Sequence, residues 1–330
     1  MPVTIQLMGV TGFFLFHYNG TATFGIIRVN NPTRKDEVSE MIVIENGLLK
    51  VEISQNGAEV RKVLHKPNGL DYMWTGDSAY WGRVSPVLFP IVGRLKENRY
   101  QLDGKTYEMS QHGFLRDVEF KVGEQTATEV SFVFESGGRF PHLYPYEFIA
   151  TIRYLLNEDS LIVQWEIGNE NEEEMYFSIG GHPAFKIPLL ENEAIEDYSL
   201  HLTPAANKDV IEYEIKESLI HEKGPANGLS NIRLTDSLFV NDALVYSNID
   251  QITMESEKTG HGVEVLFEGF PFVGIWSKYT DGKIAPFVCI EPWYGIADTY
   301  DTTGDLKEKL GINKLNPGET FQTKYKIKFK

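Results

Sequence analysis

The chain is short of sulfur, of metal-binding motifs and of helical pattern. Of its 330 residues one is a cysteine, Cys289, which excludes an internal disulfide and fits a reducing cytoplasm. No His-Glu-x-x-His, Cys-x-x-Cys or calcium-loop spacing occurs, so no metal is expected. Gly137-Gly138 lacks the strand, glycine loop and helix of a phosphate cradle, and neither a nucleotide nor another cofactor is expected. Eighteen consecutive apolar residues occur nowhere, which excludes a membrane-spanning helix. Basic residues number 31 against 47 acidic ones, a formal charge of −16. That balance argues against nucleic acid and anionic lipid as partners, since both are held by dense positive charge. Helical periodicity is scarce, and Leu306 to Leu310 is the best candidate for a short turn.

What remains is strand. Leu48 to Ser54 alternates apolar and polar, Phe148 to Leu156 and Leu161 to Ile167 flank the turn Asn157-Glu158-Asp159-Ser160, and Gln322 to Lys330 alternates to the end. Asp103-Gly104 sits between Arg99-Tyr100-Gln101 and Thr106-Tyr107-Glu108, the composition a two-residue hairpin turn favours because both central residues need positive φ. The acidic run Glu170-Asn171-Glu172-Glu173-Glu174 is read as a solvated hairpin tip. At the N-terminus, Thr11 to Gly25 is aromatic and small-residue rich, but no positive region precedes it and His17, Asn19 and Gly20 interrupt it, so secretion is not expected. Residues 1–40 are read as a loosely attached extension or a mis-assigned leader. Residues 41–330 are read as a single all-β sandwich domain.

Three ionisable residues stand out by context. His182, in Ser178-Ile179-Gly180-Gly181-His182-Pro183, and Glu291, in Cys289-Ile290-Glu291-Pro292-Trp293, each precede a proline. The proline ring forces the preceding residue out of the α region, so both side chains are expected on extended backbone at strand ends. His112, in Gln111-His112-Gly113-Phe114-Leu115-Arg116, precedes a glycine that lets the chain turn closely. Two imidazoles and a carboxylate supply what proton transfer near neutral pH needs, one member donating while another accepts. Glu291 lies two residues after Cys289, so the two face the same side of an apolar strand, where desolvation would raise the carboxyl pKa. The plainer readings are satisfied structural histidines and a Glu291–arginine salt bridge, with Cys289 a small buried hydrophobe.

Together with Pro90-Ile91-Val92-Gly93-Arg94, these segments resemble the aldose 1-epimerases, the galactose mutarotase-like proteins, and most closely their LacX-like branch, from about Met41 to the C-terminus. The resemblance implies the family's two-sheet supersandwich. It also implies interconversion of the α and β anomers of an aldohexose, with Glu291 as general base, His182 as general acid and His112 as a second histidine that polarises the ring oxygen. Arg94 falls on a substrate-binding arginine and Asp242 on an acidic residue that binds sugar hydroxyls. Arg116 is a further substrate-binding candidate, while Trp293, Trp276, Phe114 and Phe185 are candidates to stack on the apolar face of a pyranose. The expected partner is a small sugar, bound by a cytoplasmic monomer or homodimer.

Where the well-studied galactose mutarotases carry Asn-Arg, this chain has Gly93-Arg94, and its His-Gly-Phe-x-Arg segment also resembles the hexose-6-phosphate epimerases. A sugar phosphate is therefore an alternative substrate, with Arg94, Lys96, Arg99 and Arg116 as phosphate contacts, although the charge of −16 favours a neutral sugar. Two readings of other classes also stand. A non-catalytic carbohydrate-binding or sensor protein would not need His182 and Glu291, and an iron oxygenase would use His112, His182 and Glu291 as metal ligands.

Overall fold

The computed structural model describes residues 41–330 and, ahead of them, the backbone of two paired strands, Phe14–Tyr18 and Thr21–Gly25. The reading of residues 1–40 as an extension or leader otherwise lies outside the described residues. Met41–Lys330 forms one compact unit.

Two large antiparallel sheets dominate that unit. Three of the alternating segments found in the sequence form the centre of a nine-stranded sheet, while Leu49–Ser54 lies in a four-stranded one. Phe148–Asn157 pairs with Ser160–Asn169, which pairs with Thr320–Phe329. Their burial alternates residue by residue, the signature of a sheet with one face on the core and one toward water. The Glu158-Asp159 hairpin places Glu158 at φ 54°, and the hairpin between Arg99–Leu102 and Lys105–Glu108 places Asp103 at 50° and Gly104 at 75°, as a two-residue turn requires. The acidic run after Asn169 is a largely exposed connection. Leu306–Glu308 forms the one expected turn, a 3₁₀ segment capped by the Asp305 carboxylate.

The second sheet has eight strands, and its middle holds Phe272–Trp276, Phe287–Tyr294 and Ile179–Gly181. Phe287–Tyr294 is buried along almost its whole length, which explains why it reads as a continuous apolar run instead of an alternation. The two sheets pack face to face. A side chain placed on Gly181 would meet the Tyr325 hydroxyl at 2.8 Å and the Trp165 ring at 3.4 Å, both from the nine-stranded sheet. The apolar core between them includes Trp165, Tyr154, Phe148, Phe177 and Ile290. A smaller four-stranded sheet begins the unit at Ile42–Glu45. The architecture is the expected two-sheet antiparallel β-sandwich.

Candidate active site

The strand Phe287–Tyr294 builds the site. Along one of its edges run two very short strands, Ile179–Gly181, opposite Tyr294 and Trp293, and Ala184–Lys186, opposite Cys289, Val288 and Phe287. The gap between those strands is His182-Pro183, and it falls opposite Glu291-Pro292. Pro292 has no N–H to give, so it is tolerated where the pairing is interrupted, and Ile290 N–H bonds instead to the Pro183 carbonyl at 3.3 Å. His182 thus leaves a strand end as expected. Glu291 does not; it sits within a strand, because the interruption lies on its neighbour.

This register brings the two side chains together. His182 Nε2 and Glu291 Oε2 are 3.1 Å apart, and the residues are only 6% and 2% exposed. The contact is close without being a well-aligned hydrogen bond: Glu291 Oε2 and His182 Nδ1 both remain without a partner. Burial, with Asp242 second, pushes the Glu291 carboxyl well above the usual range, while the Trp293 N–H works weakly the other way. Burial pulls His182 down to about 3. Burial thus disfavours the charged form of both groups. Among the described residues Glu291 has no arginine partner, so the plain salt-bridge reading does not describe it.

His112 completes the group. It is half-buried, at φ 67°, with its ring 5.6 Å from that of His182, edge to face. Its Nδ1 accepts the Gly93 N–H at 3.1 Å, which leaves the proton of the neutral imidazole on Nε2. Burial first, then His182 and the arginines Arg116, Arg83 and Arg94, hold its pKa well below the ordinary value. His112 is thus a fixed neutral donor at Nε2. The Gln111 side-chain nitrogen, itself a donor, lies 3.2 Å from that atom and cannot accept from it, while Arg94 Nη2 donates to Gln111 Oε1 at 3.1 Å.

These groups line one cleft of about 660 Å³, to which Arg94, Arg116, Asp242, Trp276 and Trp293 also contribute. Trp293 fits because the strands beside it carry glycine. A Cβ on Gly274 would lie 2.4 Å from its ring and one on Gly180 2.6 Å. Asp242 is exposed, and its Oδ1 accepts the Ala243 N–H at 2.8 Å.

Phe114 is a correction. It is 8% exposed, stacks on Phe140 at 4.3 Å and belongs to the main core. The 3₁₀ turn Leu115–Asp117 reverses the chain just after it, sending the ring inward and returning Arg116 to the cleft. Phe185, 1% exposed, is likewise core. Lys96 and Arg99 are also absent from this cleft; they line a separate depression, where Lys96 Nζ donates to the Tyr300 carbonyl at 2.7 Å and Arg99 pairs with Glu97.

Sequence reasoning missed Trp81 and Arg83. The Trp81 indole lies parallel to the His182 ring at 4.7 Å and also stacks on Phe287, while Trp276 meets His182 edge-on at 5.8 Å. The signal that could have found them was the cluster Tyr80-Trp81-Gly82-Arg83, an aromatic pair beside a cation in a loop.

Among the described residues, one grouping has metal-ligand spacing: His182, Cys289 and Glu291, whose ligand atoms lie within 4.8 Å of one another. Cys289 does share a strand face with Glu291, as expected. Burial and the nearby Glu291 push its thiol pKa well up, which favours the thiol over the thiolate and makes it a poor ligand. The trio required of an iron oxygenase does not form, since His112 Nδ1 is already bonded to the Gly93 amide. No helix among the described residues is long and apolar enough to cross a membrane.

Known proteins are related to this chain in sequence and fold. Residues 40–310 match the family model described as Aldose 1-epimerase. The chromosomal protein LacX of Lactococcus lactis subsp. lactis is 31% identical over 297 residues, covering 87% of this chain and 98% of LacX. Among solved structures, a galactose mutarotase related enzyme from Lactobacillus acidophilus is 35% identical with a TM-score of 0.83, covering 88% of this chain and 97% of its own. A galactose mutarotase-like protein from Lactobacillus casei is 30% identical with a TM-score of 0.81, covering 88% and 100%. By the family model over residues 40–310 and the LacX relationship over most of its length, the chain belongs to the aldose 1-epimerase family.

Proposed function

We propose that this protein interconverts the α and β anomers of an aldohexose by acid–base ring opening and reclosure, using Glu291 and His182 as the proton-transfer pair. The observation that carries the reading is their 3.1 Å contact in the wall of a sugar-sized cleft, with a vacant acceptor on Glu291.

Burial favours the protonated form of the Glu291 carboxyl, and the bound sugar offsets that. When the C1 hydroxyl donates to Glu291, that bond favours the carboxylate, and the carboxyl proton crosses the short contact to His182 Nε2. The imidazolium so formed lies against the face of Trp81, where the indole quadrupole favours positive charge. Glu291 then takes the O1 proton while His182 gives its proton to the ring oxygen O5. The C1–O5 bond breaks and C1 becomes a carbonyl. Rotation about C1–C2 presents the opposite face; O5–H returns its proton to His182 as O5 attacks C1, and Glu291 returns its proton to O1. His112, a neutral donor at Nε2, steadies the charge that develops on O5. Arg94, Asp242 and Arg116 hold hydroxyls or substituents at the rim, and Trp293 and Trp276 offer apolar faces to the ring.

Polarimetry on freshly dissolved α-glucose and α-galactose tests the reading. Relaxation faster than the spontaneous rate, in proportion to protein and lost in His182→Gln, is the expected result. Sugar binding without any acceleration would instead favour a carbohydrate-binding or sensor protein.

A further inference from the structure

Glu291 has a neighbour on its own strand whose polar atom the mechanism leaves unused. Trp293 lies two residues further along Phe287–Tyr294, so its side chain rises from the same face as the carboxyl. Both residues line the cleft. Trp293 is 6% exposed, and its Nε1–H is buried without a hydrogen-bond partner, as is Glu291 Oε2. An indole nitrogen can only donate, and a donor buried unpaired costs stability. The sheet is shaped to hold this ring flat over the catalytic strand. Pairing sets Gly180 opposite Trp293 on one side and Gly274 opposite Glu291 on the other. A Cβ on Gly180 would meet Trp293 Cδ1 at 2.6 Å, and a Cβ on Gly274 would meet Trp293 Cζ2 at 2.5 Å. The indole therefore crosses the strand diagonally, from the level of its own residue to that of Glu291. Nε1 belongs to the edge that joins Cδ1 to Cζ2, so the N–H lies between those two levels. The N–H also favours the charged form of the carboxyl, against the larger effect of burial.

We infer that Trp293 is a positioning residue of the reaction, and that its indole N–H is the donor that receives the Glu291 carboxylate once the carboxyl has given up its proton. The inference rests on the proposed role of Glu291 as base and adds the group that holds the charge there. His182 cannot do this throughout. Once it directs its new proton at O5, the carboxylate loses that partner and keeps the indole. Hydrogen bonds to a charged acceptor are shorter and stronger than those to a neutral one. The contact thus counts for more after the proton has left Glu291 than before, which is the condition for raising kcat instead of tightening binding. An indole that served only as a platform for the sugar would act on KM instead. The two glycines belong to the same device, because a side chain at either position would lift the N–H edge away from the carboxyl.

Trp293→Phe removes the N–H and keeps an aromatic ring in the glycine cradle. In anomer exchange, kcat should fall by about ten- to a hundredfold, the worth of a hydrogen bond to a charged group, with KM little changed. The alkaline limb of the pH profile reports loss of the last proton shared by Glu291 and His182. It should move up by about one to two units, the same factor read as a pKa, because the carboxylate has lost its donor. A raised KM with kcat and both limbs unchanged would make Trp293 a sugar platform only and overturn the inference. NMR of the isotope-labelled native chain tests the contact without catalysis and without that variant. The Trp293 indole proton should move downfield as the carboxyl ionises with rising pH, and this dependence should vanish in Glu291→Gln. That result with no anomer exchange on any sugar keeps the contact and refutes the epimerase. An indole signal indifferent to pH, or equally dependent on it in Glu291→Gln, overturns the contact even where exchange is fast.

Discussion

Gly113 is the residue on which the position of His112 depends, and its replacement by alanine gives a quantitative check on the local geometry. The residue sits at φ +68°, and a Cβ there would lie 2.1 Å from the Phe89 carbonyl oxygen and 2.7 Å from Pro90 Cδ. That oxygen accepts the N–H groups of Phe114 and Leu115 at 3.0 and 3.3 Å, so it cannot retreat without breaking both bonds. The left-handed backbone costs alanine about 1–2 kcal/mol, relief of the overlap about 1–3 kcal/mol, and the weakened hydrogen bonds about 1 kcal/mol. The sum is roughly 3–6 kcal/mol, a large part of the ~5–15 kcal/mol that holds a typical domain folded. Gly104 provides the control. Its φ is +75°, and a methyl added there would have nothing within 4 Å, so Gly104→Ala should cost only the backbone term, about 1–2 kcal/mol. Urea unfolding followed by tryptophan fluorescence measures both. Gly113→Ala should also lose anomer exchange beyond its loss of folded protein, because the turn aims His112 and the Gly93–His112 bond depends on it. Equal destabilisation by the two substitutions would refute the close approach at Gly113 and with it the explanation of how His112 is held.

Three further outcomes follow from the same geometry. Trp81→Ala should lower kcat by up to about thirtyfold through loss of the cation–π support for the imidazolium, and an unchanged kcat in steady-state exchange would remove Trp81 from the mechanism. Phe114→Ala should cost about 3–5 kcal/mol in urea unfolding as a core residue; a raised KM with unchanged stability would restore it as a sugar platform. The third outcome concerns pH. The folded pKa values of His182, about 3, and of His112, lowered well below 6.5, are depressed, so each adds stability that is present above pH 6.5 and lost as pH falls. Glu291 is raised well above 4.5, so its contribution is lost as pH climbs from there. Between about pH 4.5 and 6.5 each group contributes up to about 1.4 kcal/mol per pH unit. Relative to the native chain, Glu291→Gln should gain stability with pH more steeply over that window and His182→Gln less steeply, as read by thermal melts at a series of pH values.

Much of the fold could be read in the chain because strand and turn chemistry are local. The alternation from Phe148 to Ile167 and the Asp103-Gly104 hairpin each follow from neighbours within a few residues. Glu291 and His182 were legible through their prolines, although the sequence placed Glu291 off a strand end when the interruption lies in the adjacent short strands. Phe114 misled because proximity to His112 in sequence implied a shared cleft; the left-handed backbone at His112 and Gly113 turns the chain between them. Trp81 and Arg83 were missed for the opposite reason. They sit in an irregular loop without period, and their partners, His182 and Asp117, lie far along the chain.

The most direct measurement is saturation-transfer NMR of anomer exchange on neutral and 6-phosphorylated hexoses, comparing the native chain with Glu291→Gln, a near-isosteric change that keeps the hydrogen-bonding shape and removes the proton exchange. Exchange should rise with native protein and fall to the spontaneous rate in the variant, while sugar binding persists. Exchange that survives in Glu291→Gln, or its absence from the native chain on every sugar that binds, would contradict the assignment of Glu291 and His182 as the proton-transfer pair.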